Sequence, residues 1–350
     1  MHGGDGRWPR GAIYARAMRP KLAISIGDPC GIGPEIVAAV LCGAVERADV
    51  AVFGHWPSLR RSIERLGASR SPDVVDALTE PPPAGAAIAV HTGTGESPLD
   101  TTCPAAAESQ IRAVSAAVDA VLAGRCDALV TGPVSKAAIA EVRPGFTGHT
   151  EYLAARCGLR PDDVTMVFAS RSLVVGLIAT HVPLARVPET VTADRYGRTL
   201  RHVIEVLGAL RKGPRPRIAI AAINPHGGEG GLLGREEIEI LAPFCAATSG
   251  GVAAEIVGPI PADAVFRDAL AGAYDGVIAA YHDQAMIPLK LAGFGRTANV
   301  TCGLPFVRTS PDHGVARDIA NTGLADPSGM RLAIDVAIDL WAARHGEASR

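Results

Sequence analysis

Residues 22–33, LAISIGDPCGIG, carry the pattern that decides the fold. An apolar run of strand length, 22–26, breaks into a turn at 27–34, made rigid by Pro29 and Pro34, and a helix-like run follows at 35–41. The same transition from apolar run to polar, glycine-rich or histidine-bearing loop recurs in LVTGPVSK (129–136), VVGLIATHVP (174–183), IAIAAINPHGGEGG (218–231) and GVIAAYHDQ (276–284). Further strands are predicted at 51–53, 87–90, 165–168 and 255–257. Residues 105–123, free of glycine and proline, predict a helix, and 331–343 an amphipathic closing helix. Alternating strands and helices predict an α/β fold with a largely parallel sheet. In such sheets ligands bind at the carboxyl ends of the strands, so the five loops point to one crevice.

The 350 residues suggest about two domains at roughly 150 residues each. With 48% hydrophobic and 20% charged residues, the chain buries a core without needing disulfides. A net charge of −2 with no basic stripe gives no sign of a nucleic-acid partner. Seven cysteines, at 30, 42, 103, 126, 157, 245 and 302, include no CxxC pair and read as reduced thiols of a cytoplasmic protein. Residues 1–18 carry Arg7, Arg10 and Arg16 but no apolar stretch of signal-peptide length. They are expected to be a disordered leader, or an upstream extension before a start at Met18. The longest apolar stretches, such as 172–180, are too short to span a bilayer, so no membrane partner is expected.

Three strand-end loops each bring a histidine: His181, His226 and His282. Any one alone reads more readily as a strand cap bonded to the backbone. Three at equivalent positions point to a shared divalent metal with an open site for substrate. Zinc, magnesium, manganese and cobalt all suit imidazole beside an oxygen-bearing substrate. Asp283 is placed to orient a ligand. In GFTGHTEYLA (145–154), His149 and Thr150 open a helix in a position that suits an anion; Thr150 as an ordinary N-cap is compatible with that. Lys290 and Arg308 could grip a phosphate or carboxylate, and Asn299 lies between them. Arg308 stands in the otherwise apolar LPFVRTS and needs a partner if buried. No GxGxxG fingerprint, P-loop or GxSxG elbow occurs.

Taken together, GDPCGIGPEI (27–36), VTGPVSKAAI (130–139), FTGHTEYLA (146–154), INPHGGEGG (223–231), YHDQAMIPLKL (281–291), GFGR (293–296) and NVTCGLPFVRTSPDHGVARDIA (299–320) resemble the 4-hydroxythreonine-4-phosphate dehydrogenase family of vitamin B6 synthesis. The resemblance implies a fold like that of isocitrate and isopropylmalate dehydrogenases: two α/β domains flank an active-site cleft, and a homodimer completes each site. It implies a cofactor-side domain over 20–135 plus 285–345, and a metal, substrate and dimerisation domain over 136–284. NAD or NADP would be bound by loops of that fold, with DHGVARDIANTGLADPSGM (312–330) as cofactor loop and His313 and Gly314 near the adenosine. Carried over position by position, the metal ligands fall on His181, His226 and His282, shared across the dimer. The substrate contacts fall on His149, Thr150, Lys290, Asn299 and Arg308. No residue is assigned as the proton-abstracting group.

The implied reaction is metal-dependent oxidation of 4-phosphooxy-L-threonine followed by decarboxylation to 3-amino-2-oxopropyl phosphate. Catabolic relatives that oxidise phosphorylated four-carbon sugar acids, 4-phospho-D-threonate or D-erythronate, share that chemistry. Ala285 stands where many relatives have glycine, and Asn321-Thr322 where many have glycine and a basic residue. From other classes, a metal-dependent phosphometabolite hydrolase would use the same histidines and anion site without nicotinamide. A non-catalytic metabolite-binding protein would need none of the ligand set.

Overall fold

Strands that read as unbroken apolar runs must be covered on both faces, which is the signature of parallel sheets flanked by helices. The computed structural model describes residues 19–67, 71–211, 215–248, 250–293 and 295–346. The leader expected at 1–18 lies outside them. The chain forms two compact units, one up to Pro161 together with the chain from Leu304, the other Asp162–Gly303.

The first unit contains β1 (Lys21–Ser25), α1 (Gly33–Arg47), β2 (Asp49–Gly54), α2 (Trp56–Arg65), β3 (Asp73–Val75), β4 (Ala87–His91), α3 (Pro104–Leu122), β5 (Ala128–Thr131), α4 (Lys136–Val142) and α5 (His149–Arg156). The second contains β6 (Thr165–Ser170), β7 (Val174–Ala179), α6 (Val187–Thr190), α7 (Ala193–Leu210), β8 (Arg217–Ala221), α8 (Ala242–Thr248), β9 (Glu255–Ile260), α9 (Ala262–Leu270), β10 (Gly276–Tyr281), α10 (His282–Gly293) and β11 (Thr297–Cys302). The first unit then resumes with β12 (Val307–Pro311) and α11 (Ser328–Gly346).

Strands of the first unit run in the order β3-β4-β2-β1-β5-β12, every neighbouring pair parallel. β2 is buried at every position, and each buried valine or phenylalanine there contributes about 1.5–3 kcal/mol. α3 packs on β1, β2 and β5, while α11 packs on β12 and β5. The chain leaves β1 on one side for β2 and returns on the other as β5. This is the switch point at which an open sheet offers a crevice.

In the second unit the order is β11-β6-β7-β10-β8-β9. β7, β10, β8 and β9 are parallel, as predicted, but β6 runs antiparallel to both its neighbours. Chain length is the reason. Only three residues separate β6 from β7, closed by a bond from Ser170 N to Leu173 O, and a parallel return needs a dozen or more. Phe168, Val175, Leu177 and Val277 form the core with Phe266 of α9 and Met286 and Leu289 of α10. The buried stripe Leu200, Val203, Leu207 and Leu210 explains why α7 lies on β6, β7 and β10.

The divisions at 161/162 and 303/304 fall later than the 135/136 and 284/285 expected from the resemblance. Packing explains both. Ile139 of α4 and Phe146 share a core with Ile111 of α3, and Tyr152 of α5 packs against it, with Tyr152 Oη 2.7 Å from Ser115 Oγ. Residues 285–303 stay with the second unit because α10 fills its core and β11 pairs with β6. Among the described residues, no helix is long and apolar enough to cross a membrane.

Candidate functional site

At the switch point of the first unit the loops after β1 and β5 press together. Gly27 has φ +78°, and a Cβ there would lie 2.2 Å from Pro133 O, so no other residue fits. Asp28 N donates to Pro133 O at 2.8 Å and Gly132 N to Ser25 O at 2.7 Å. Beside β5, β12 places Arg308 opposite Leu129, 2% exposed, with Nη2 donating to Thr131 Oγ1 at 2.6 Å. Burial pushes the guanidinium down to about 10, against the opposing pull of Glu151. Holding a cation in so dry a place costs several kcal/mol, roughly, and is usual where an anion repays it.

His149 is the first residue of α5. The N-cap is Gly148, so Thr150 sits inside the first turn and is not the cap. The residue is only partly buried, yet its Nε2 is enclosed and has no hydrogen-bond partner among the described residues. Burial holds the imidazole well below its ordinary 6.5, and the positive charges of Arg308 and Lys136 push the same way. A neutral, enclosed imidazole at a helix start, beside an arginine and a lysine, has the chemistry that suits an anion. Lys136 was not assigned from the sequence, although it ends the quoted loop LVTGPVSK. Only the fold shows that it faces His149.

These shifts have a stability consequence. His55 is likewise held below 6.5, mainly by burial. The unfolded chain takes up these protons first as pH falls, so the stability they contribute is complete above 6.5 and lost below it. The urea midpoint is expected to fall between pH 7 and 5.5, and His149→Gln to flatten the slope. A slope that the substitution leaves unchanged would count against the burial account.

In the second unit β7, β10 and β8 are adjacent and parallel, so their carboxyl ends lie at one edge. His181 follows β7 and His282 begins α10 directly after β10, with ring centroids 6.0 Å apart. Asp283 Oδ1 lies 2.7 Å from His282 Nδ1, an arrangement that would leave Nε2 to face a cation. His226 follows β8 in a loop where it, Gly227, Gly228, Glu229 and Gly230 all have positive φ. Two non-glycine residues in that conformation cost about 1–2 kcal/mol each. The structure pairs His181 with His282 but does not add His226. No three metal-ligating side chains gather among the described residues. Imidazoles beside an orienting carboxylate are donors of the kind a divalent cation takes, and among the described residues of one chain the three histidines do not converge on one point.

What holds the His226 loop was not visible in the sequence. Glu237, 3% exposed, accepts from Ile223 N and Asn224 N at 2.8 Å and from Asn224 Nδ2 at 2.9 Å. Gln284 ties the neighbouring strand ends together, accepting from Ala280 N and donating to Ala222 O, both at 2.7 Å. A cavity of about 510 Å³ opens beside His226, lined by Asn224, Asp263, Tyr281 and Gln284 among others. Glu237→Ala strands two backbone N–H groups and removes one of the two acceptors of Asn224 Nδ2, which also donates to Glu236, and is expected to cost about 2–4 kcal/mol. Chemical denaturation measures this, and an unchanged midpoint would show that the carboxylate does not hold the loop.

Of the remaining expected residues, Asn299 lies on β11 opposite Phe168, its Oδ1 enclosed without a partner among the described residues. Lys290 is exposed in the last turn of α10. In the first unit, His313 and Gly314 follow β12. His313 Nδ1 lies 3.2 Å from Gly314 O, its Nε2 is enclosed without a partner among the described residues, and Gly314 is exposed. An enclosed ring nitrogen beside exposed glycine backbone fits a flat polar group such as an adenosine. Burial pushes the thiols of Cys30 and Cys126 up to about 12 and that of Cys245 to about 11, so none of the three is a thiolate nucleophile near neutral pH.

Comparison with known proteins places the chain in a family. A 4-hydroxythreonine-4-phosphate dehydrogenase of Geobacter metallireducens is 39% identical over 92% of this chain and 96% of its own. A crystal structure of the enzyme of that name from Klebsiella pneumoniae superposes with a TM-score of 0.75 at 38% identity, over 93% of this chain and 99% of the other. A beta-decarboxylating dehydrogenase from Thermococcus kodakarensis, 15% identical with a TM-score of 0.50 over 95% of this chain and 89% of its own, shares the fold. Residues 46–337 match the model of the pyridoxal phosphate biosynthetic protein PdxA, and with that match and those relatives the chain belongs to the PdxA family.

Proposed function

We propose that this chain is a metal-dependent NAD(P) dehydrogenase that oxidises 4-phosphooxy-L-threonine and releases carbon dioxide, leaving 3-amino-2-oxopropyl phosphate. The observation that carries this reading is the dry cationic cradle of the first unit, in a family whose relatives bear that enzyme's name. Arg308 offers a planar fork to a phosphate, His149 a neutral ring N–H from Nε2, and Thr150 a hydroxyl at a helix start. Lys136 adds positive charge at His149. On the second unit Asn299 and Lys290 are the proposed further contacts with the substrate.

His181, His226 and His282 are the proposed ligands of a divalent cation, zinc, magnesium, manganese or cobalt, and the residues from His313 the seat of NAD or NADP. When bound, the cation would supply Lewis-acid charge beside an alcohol and the nicotinamide would supply a hydride acceptor. The chain's own part is to hold the phosphate end, fix the tautomer of His282 through Asp283 and keep the cradle dry. One chain pairs only two of the histidines, so a second copy completes the set in a homodimer. Leu184, Leu232 and Leu291, 70, 83 and 85% exposed, stand near the histidine loops and α10 and support a subunit interface there. Seven cysteines that form no disulfide among the described residues fit a reducing cytoplasmic compartment.

Side-by-side kinetics test the substrate. 4-Phosphooxy-L-threonine is expected to exceed 4-phospho-D-threonate by about tenfold or more in kcat/KM, because it carries an amino group where the sugar acid carries a hydroxyl, and a site built for the one pairs less well with the other. The reverse order would make the chain a sugar-acid dehydrogenase.

A further inference from the structure

The turn GDPCGIGPE, residues 27–35, matches no phosphate-binding fingerprint, yet two of its carboxylates are buried: Asp28 is 0% and Glu35 8% exposed. Both face the loop that follows β12. Glu35 Oε2 accepts from Asn321 N at 2.9 Å and Oε1 from Gly323 N at 3.1 Å. Asp28 Oδ2 accepts from Arg317 Nε at 2.9 Å and Nη2 at 2.5 Å, while Oδ1 accepts from Cys30 N at 3.0 Å. The backbones also join: Ile32 N donates to Val315 O at 2.9 Å, and a Cβ on Gly31 would come within 2.5 Å of that oxygen. From the surface Arg65 donates to Asn321 O.

Left to itself, the segment 313–323 has little to keep its shape. It contains one short helical turn, Arg317–Ile319, and two non-glycine residues with positive φ, Ala316 at 40° and Asn321 at 62°. Such backbone persists only where its surroundings impose it. The surroundings here are two acceptor-only side chains, each gripping a pair of donors from the loop or its arginine, a charge-assisted arrangement stronger than neutral hydrogen bonding.

We infer that Glu35, assisted by Asp28, is a positioning residue that holds residues 313–323 in the cofactor-binding shape before the nicotinamide cofactor arrives. This rests on the proposed assignment of that loop to NAD or NADP. A loop already ordered loses less freedom on binding, so the clamp is expressed as cofactor affinity. Glutamine cannot replace Glu35, since its NH₂ would oppose one of the two backbone N–H groups.

The test uses the full-length protein with Glu35→Gln, and with Arg65→Ala as a second variant whose site is at the surface. In cofactor-free Glu35→Gln, amide hydrogen exchange at 321–323 is expected to accelerate. NADH or NADPH, titrated by fluorescence, is expected to bind about tenfold more weakly. The KM for the phosphorylated substrate should stay within about twofold of wild type, because the phosphate cradle lies on other residues. Wild-type exchange and wild-type Kd in this variant would overturn the inference. If Glu35→Gln does not fold, Arg65→Ala decides: about threefold weaker cofactor binding supports the clamp, and unchanged binding overturns it. Wild-type protein that binds NADH or NADPH without protecting any amide of 313–323 would instead overturn the cofactor-loop assignment itself.

Discussion

Arg308→Met is expected to lower kcat/KM for the phosphorylated substrate by about 10²–10³-fold and to abolish calorimetrically detectable binding of inorganic phosphate. Truncating one partner of a buried charged hydrogen-bonded pair costs roughly 2–5 kcal/mol, and each 1.4 kcal/mol is about tenfold. Arg308 meets the conditions for the upper part of that range, being 2% exposed, beside the enclosed Nε2 of His149 and anchored at Thr131. Arg308→Lys retains the charge but loses the planar fork, so it recovers only part of the activity. Stability should move little or rise, because an apolar side chain of similar volume removes the cost of burying a guanidinium. A variant that kept its kcat/KM within about threefold would remove the phosphate from this cradle.

His282→Ala is expected to abolish turnover while leaving a folded protein. The imidazole is partly exposed at the first residue of α10 and is bonded to the neighbouring Asp283, so its loss costs the fold little. A site of the three proposed ligands would leave no redundancy. Removing one is expected to lower activity by about 10³-fold or more and to defeat rescue by added cation. Asp283→Asn gives a graded counterpart. Losing the carboxylate that orients Nδ1 should weaken metal binding about 10–100-fold, read by metal titration without any turnover. Full activity of His282→Ala at saturating metal would refute the ligand role.

Much of this was legible because local pattern and fold agree. Apolar runs at 22–26, 128–131 and 276–280 become β1, β5 and β10, and the loops leaving them carry the polar residues. Arg308 was marked by its apolar neighbours, and burial in β12 is what that setting required. Relations over distance were not legible. β6 runs against its neighbours because of a three-residue turn whose geometry apolarity does not reveal. Glu35 and Asp28 meet donors 286 to 289 residues away, and Glu237 looks like one of several acids in a polar helix start. His181, His226 and His282 occupy equivalent strand ends, yet only the first and last approach each other. Periodicity places side chains at an edge of a sheet, but the conformation of the loop decides where they go. The left-handed run at His226 belongs to that loop conformation.

The most direct measurement is absorbance at 340 nm during incubation of the purified protein with 4-phosphooxy-L-threonine and NAD or NADP, with and without divalent cation. The account predicts reduced nicotinamide that appears only with the cation, disappears with a chelator and returns on re-addition of metal. A folded, metal-loaded protein that reduces neither cofactor with this substrate, or reduces one equally well after chelation, would contradict it.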